Sequence, residues 1–253
     1  MGTLKFRMAL AATTVAALLG ASQRAYAANG AYQVDAADIS DVGSCKVESW
    51  LSTATNTDFS AVANPSCVVE LTRPVELSTQ FNQFRSDGAW GTSIAPKFKT
   101  NIEPTGIGKL GYSVSGGGAF DALTGDNTAV FATIPATWRL SETMRFNFNG
   151  GWLWDRTVDR HYLTYGVGFD WKFTETLQLT LEAFGQAGHA DVRSEIQPRF
   201  QAGVRYRPNE IFSVDLIYGH NITGENANWI TLGTTIRFPT PDEKPARERS
   251  GHL

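Results

Sequence analysis

Beyond its N-terminal segment the chain has no apolar run approaching the ~18 residues of a membrane-spanning helix. That absence excludes helical spans but not a spanning barrel, whose alternating strands never produce such a run. Basic charge is not in excess either: 22 Lys and Arg stand against 25 Asp and Glu, a formal net charge of −3. A nucleic-acid partner would show a basic balance, so none is expected. Cysteine is scarce, with only Cys45 and Cys67. Two thiols are too few for a zinc site, and no metal is expected. The G-x-G at Gly166 and Gly168 lies mid-strand with no helix after it, so it is not a dinucleotide loop and no cofactor is implied.

What is present begins with Lys5 and Arg7, then M-A-L-A-A-T-T-V-A-A-L-L-G, then A-Y-A at Ala25 to Ala27. A basic start, a short apolar stretch and an A-x-A site make residues 1–27 a secretory signal peptide cleaved after Ala27. The plain alternative is a buried N-terminal helix. The removed piece holds Lys5, Arg7, Arg24 and no acid, so the exported chain is more acidic than the whole. Residues 28–43 then read as an N-terminal periplasmic lead-in and 44–238 as a transmembrane barrel. Residues 239–253, polar and proline-containing, read as a disordered periplasmic tail with no apolar face to bury. In an exported chain the cysteines meet an oxidising compartment. A hairpin centred on Asn56 sets Cys45 opposite Cys67, within reach of a disulfide, and two cysteines allow one pairing.

After Ala27 the chain reads as strand, turn, strand. The strands fall at roughly 44–53, 58–68, 74–84, 90–100, 107–117, 128–140, 143–154, 161–173, 176–186, 198–207, 211–220 and 229–238. These twelve segments match the 9–11 residues that cross a bilayer at a tilt and exceed the usual soluble strand. The pattern has a period of two. In 161–173, Leu163, Tyr165, Val167, Phe169, Trp171 and Phe173 share one face, and Tyr162, Thr164, Gly166, Gly168, Asp170 and Lys172 the other. In 199–207, Phe200, Ala202, Val204 and Tyr206 oppose Arg199, Gln201, Gly203, Arg205 and Arg207.

A soluble sandwich also alternates, but its solvent face does not need so many glycines and asparagines. The connections separate the two readings. S-E-T (141–143), T-E-T (174–176) and P-N-E (208–210) are tiny, whereas 121–127, 155–160, 186–197 and 220–228 are longer and polar. Short periplasmic turns and longer extracellular loops are the asymmetry of outer-membrane barrels. Aromatics also fall in two belts on the apolar faces: Phe98, Trp138, Trp171, Phe173, Tyr206 and Phe238 near short turns, Trp90, Trp152, Trp154 and Tyr218 near long loops. The fold class expected is all-β, a single antiparallel transmembrane β-barrel of about twelve strands. Outer-membrane lipids are then its surroundings and the bacterial outer membrane its location.

The stretch T-L-G-T-T-I-R-F resembles the C-terminal assembly signal of bacterial outer-membrane proteins, on Thr231, Gly233, Ile236 and Phe238. That resemblance implies the barrel-assembly machinery as a partner during biogenesis. The tail beyond Phe238 departs from the pattern, in which the aromatic is usually last. More widely, V-E-L-S-T-Q-F-N (75–82), the hairpin W-R-L-S-E-T-M-R-F-N-F-N-G-G-W (138–152) and G-V-R-Y-R-P-N-E-I-F-S-V-D-L-I-Y-G (203–219) resemble the outer-membrane barrel family named for the meta-pathway of phenol degradation. The resemblance covers most of 74–238 and implies a diffusion channel or passive transporter, with no defined binding residue.

If the apolar faces meet lipid, the alternate positions line the lumen. Lys97, Lys99, Lys109, Arg139, Arg145, Lys172, Arg207 and Arg237 then form a basic collar towards the periplasmic mouth. Such a collar favours anions in a pore. Equally, the cations reach headgroups or the turn acids Glu142, Glu175 and Glu210. Deeper, Asp170, Glu182, Arg205 and Asp215 lie on four successive strands and suggest a cross-strand charge network that partly fills the lumen. Twelve strands fall between barrels filled by side chains and barrels with channels, so an open and a closed lumen both remain. The expected function is a small passive channel for low-mass solutes, anionic or aromatic. Its rivals are a closed structural or surface-interaction barrel and a lipid-modifying enzyme built on His189 and Asp191. No motif places a serine as a nucleophile, so the protein is read as not an enzyme.

Overall fold

The computed structural model describes residues 31–86, 88–188, 198–222 and 227–238. Its strands are β1 (Cys45–Ala54), β2 (Phe59–Glu70), β3 (Pro74–Ser86), β4 (Ala89–Glu103), β5 (Leu110–Asp121), β6 (Asn127–Arg139), β7 (Met144–Asp155), β8 (Arg160–Lys172), β9 (Leu177–Ala187), β10 (Arg199–Tyr206), β11 (Phe212–Asn221) and β12 (Asn228–Phe238). Each pairs antiparallel with its sequence neighbours, and β1 pairs with β12, so the sheet closes on itself. Closure leaves no edge strand with unpaired backbone groups, which the lipid interior demands.

Alternation decides which face meets lipid. Leu51, Leu232 and Leu216 stand in register across β1, β12 and β11, and each is more than half exposed. Leu163, Val167 and Val204 are likewise exposed. Phe169 leans on Phe146 of the adjacent strand, ring centroids 5.0 Å apart, on the same outer face. The buried residues on the other face are mostly polar, among them Ser113, Ser115, Thr137, Asn147, Thr180, Gln201, Ser213 and Thr235. A water-soluble fold buries its apolar side chains, so this inversion marks an outer-membrane β-barrel. Trp90, Trp138, Trp152, Trp171, Tyr206 and Tyr218 are all exposed on the outer surface, where belts at the two interfaces would stand.

The contrast between short turns and long loops is weaker than the sequence suggests. Asp155 pairs with Arg160, so that loop shrinks to 156–159, and β5 reaches Asp121. Ladder hydrogen bonds form between polar residues as well as apolar ones, so the sheet continues above the apolar band. An even strand number puts both ends of the barrel wall on one rim, which the short turns identify as periplasmic.

The expected hairpin register holds. Cys45 lies opposite Cys67 and the two form a disulfide. Part of the expected periplasmic lead-in at 28–43 lies elsewhere: residues 31–38 run inside the barrel. Ala31, Tyr32, Val34, Ala36, Ala37 and Asp38 are all buried there. The physical reason is that these residues carry backbone donors and two carboxylates, and the lumen wall offers partners for both. The expected signal peptide (1–27) and tail (239–253) lie outside the described residues.

Candidate functional site

The segment 31–38 forms a strap across the lumen. At its periplasmic end Asp38 accepts from Thr105 and meets Arg145 at 3.4 Å, while Lys99 donates to the carbonyls of Ala36 and Asp38, the latter at 3.0 Å. Ala37 donates its N–H to Thr137 Oγ1 at 2.8 Å. Asp35 pairs with Lys97. Towards mid-barrel Gln33 and Val34 donate their N–H groups to the two carboxylate oxygens of Glu182, at 2.9 and 3.1 Å. An irregular buried backbone has no ladder to satisfy its polar groups, and here wall side chains take that part.

Side-chain fit fixes the strap's course. Tyr32 lies over Arg205, whose Nε and Nη2 reach Asp215 at 2.7 and 3.1 Å. A Cβ on Gly203 would stand 2.6 Å from the Tyr32 hydroxyl, and one on Gly166 would stand 2.9 Å from Val34 Cγ2. Only glycine leaves room for the strap at these two wall positions. Ala31 and Tyr32 join Ile217 in a small apolar cluster, with Trp50 against it. Burial works against ionisation of Asp35, yet Lys97 and Lys99 outweigh it and hold its carboxyl down at about 2. Burial, followed by the Asp215 charge, pushes the Tyr32 phenol well above its usual range.

These contacts redistribute the residues expected to form a collar. Lys97 and Lys99 grip the strap, and Arg145 bridges Asp38 to Asp170, at 2.7 Å from the latter. Lys172 sits 3.5 Å from the turn acid Glu175, as one of the two readings held. Arg237 donates to Ser213 at 3.5 Å. Lys109, Arg139 and Arg207 stay near the short-turn rim. The collar is thus divided, because strap carboxylates draw its deeper members inward.

The four deeper charges also part company. Asp170 accepts from Arg145, Asn147 and Thr180. Arg205 and Asp215 face each other in register and pair. Glu182 turns to the strap and to Gln201. They form separate centres around one inserted segment. Sequence reasoning missed Lys46, which sits between Glu48 (3.4 Å) and Glu76 (3.5 Å) on the lumen wall. It missed the strap itself, for which lumen-facing glycines on β8 and β10 were the available signal.

On the extracellular side of the strap two cavities open, of about 220 and 290 Å³, sharing Gln33, Phe184 and Arg199. Thr231, Gly233, Ile236 and Phe238 lie on β12, the strand that closes the barrel against β1. His161 stacks on Trp152 and Trp154, and His220 bonds Asn228 at 2.8 Å. His189 and Asp191 lie outside the described residues.

A family model described as Uncharacterised conserved protein UCP029691 matches residues 15–238. No curated protein matches the sequence. Among solved structures, the NanC porin superposes with a TM-score of 0.61 at 7% identity, over 75% of this chain and 98% of that one. The COG4313 outer membrane channel from Pseudomonas putida F1 gives 0.57 at 11%, over 80% and 98%. A KdgM porin in complex with disordered oligogalacturonate gives 0.56 at 8%, over 77% and 99%. All three are porins or channels, and at these identities the likeness is one of fold.

Proposed function

The chain belongs to the family of uncharacterised conserved proteins UCP029691, and from the geometry of its lumen we propose that it is a narrow passive channel for low-mass solutes, its bore set by its own N-terminal strap. The observation that carries this reading is the course of residues 31–38. The strap occupies the middle and periplasmic half of a largely polar lumen and leaves polar-lined cavities on the outer side. Lys109, Arg139, Arg207 and Arg237 keep the periplasmic rim basic, which supports a preference for anions. The stretches at 75–82, 138–152 and 203–219 support kinship with the barrels named for phenol degradation, and with it aromatic cargo. Export by residues 1–27 and insertion through the assembly machinery at Thr231 to Phe238 complete the reading.

One observation favours a rival. The seam of Lys99, Asp38, Arg145 and Asp170 is buried, as in a barrel closed for structural or surface-binding duty. Planar-bilayer recordings from the exported chain, and from a chain lacking residues 31–38, decide between them. A channel gives a small steady conductance that rises several-fold on deletion. Silence from both chains sinks the channel and leaves the structural barrel.

A further inference from the structure

Arg199 opens β10 and faces the lumen, in alternation with the buried Gln201, Gly203 and Arg205. Across the ladder it stands between Phe184 of β9 and Asn221 of β11. Among the described residues its guanidinium has neither an ion-pair nor a hydrogen-bond partner. That sets it apart from Arg205, paired with Asp215, and from Arg145, paired with Asp170 and Asp38.

The smaller cavity lies against it. Its polar lining is Arg199, the carboxamides of Gln33, Asn149 and Gln186, and the hydroxyls of Thr133 and Thr164; no described carboxylate lines it. The ring of Phe184 forms part of the wall. Asp58 lines the larger cavity, which Arg199 also borders, and there it accepts from the Asn56 carboxamide at 2.9 Å. Glu182, beneath, has both oxygens engaged by strap amides, and one of them also by Gln201. A guanidinium with no carboxylate among the described residues of this cavity, ringed by amide and hydroxyl groups, suits an oxyanion, because its planar fork matches two oxygens. At about 220 Å³ the cavity falls below the ~300 Å³ where drug-sized sites begin, so its occupant is small.

We propose that this cavity binds a small carboxylate-bearing solute, its carboxylate held by Arg199 and its remaining polar groups by the carboxamides and hydroxyls. The site deepens the channel reading and rests on it only for the solute's onward passage. It moves the anion-selecting residue from the periplasmic collar to the extracellular side of the strap.

Calorimetric titration of the folded protein in detergent tests this without requiring conduction. The probes are gluconate, a hydroxyl-rich acid, benzoate, an aromatic acid, and glucose, which carries no charge. Binding of either acid, with glucose silent, is expected; which acid binds tells whether hydroxyls or the Phe184 ring complete the site. Arg199→Gln weakens that binding about tenfold or more, the usual worth of a charge-assisted contact, and Arg73→Gln, on an exposed turn, leaves it unchanged. Heat-modifiable gel migration checks that each variant is folded, and Arg199→Lys, which keeps the charge without the fork, gives intermediate affinity. Failure of both acids to bind, or equal binding to Arg199→Gln, overturns the site. Conductance recorded on the same preparations shows separately whether the channel stands.

Discussion

The guanidinium carbon of Arg205 lies 5.2 Å from the centroid of the Tyr32 ring, one group on the barrel wall and the other on the strap. Arg205 keeps Asp215 as its ion partner, so the ring adds a second, cation–π contact. The Tyr32 hydroxyl has no partner among the described residues. Tyr32→Phe should therefore be neutral or slightly stabilising, since it removes a buried group without a bond. Tyr32→Ala should loosen the strap by about 3 kcal/mol, the low end for losing a buried aromatic. Amide hydrogen exchange across residues 31–38 distinguishes the two variants.

Gly203→Val should expel the strap while the wall stays closed. A Cβ there stands 2.6 Å from the Tyr32 hydroxyl and 2.8 Å from Ile217 Cγ1. The expected readings are raised conductance and unchanged heat-modifiable migration. Gly150→Ala, on the outer face with nothing within 4 Å of the new Cβ, should alter neither.

Glu182→Gln replaces one of two acceptor oxygens with a donor. Gln33 and Val34 each donate to a different oxygen of Glu182, so one strap N–H then faces an NH₂ group. An orphaned buried donor costs about 1–3 kcal/mol. Faster exchange at the amides of Gln33 and Val34, with the amide of Ala37 less affected, is the expected signature. Equal exchange in wild type and variant would show that Glu182 is not the latch.

The pH dependence of the Asp35 contact has a definite sign. Its carboxyl is depressed from 3.8 to about 2, so the stability it lends the strap is present above 3.8 and lost as pH falls through 2. Asp35→Asn should therefore raise conductance at neutral pH by an amount that stays constant down to about pH 4. The difference from wild type should shrink below that and vanish near pH 2. A difference that closes between pH 7 and 5 would contradict the pairing with Lys97.

Leu232→Arg tests the orientation of the wall. Leu232 sits mid-strand on the outer face between Leu51 and Leu216. A cation at the bilayer midplane costs about 2–4 kcal/mol in such barrels, whereas the same change at the inward-facing Thr231 meets polar surroundings. Refolding into lipid vesicles with denaturant titration gives the comparison.

The wall was legible because its information is local. Alternation in Leu163 to Phe173, or in Ile230 to Phe238, assigns faces without reference to any other strand. The disulfide was legible for the same reason, since one hairpin register fixes both cysteines. The strap was not. Gln33 finds Glu182 and Ala37 finds Thr137 across separations of 149 and 100 residues, and neither strand nor helix periodicity marks the segment. Its one local trace is negative, the missing side chains at Gly166 and Gly203. The inner charges group differently from the collar and network read from sequence, because two of their partners, Asp35 and Asp38, come from a segment expected outside the barrel.

The strap precedes β1, yet the surfaces that receive it lie on β1, β4 and every strand from β6 to β12. Translation therefore delivers it before every surface it will rest on. Its seat is complete only after the last strand has emerged and been laid beside the others. Among the described residues, the first to leave the ribosome waits longest for its seat to be whole.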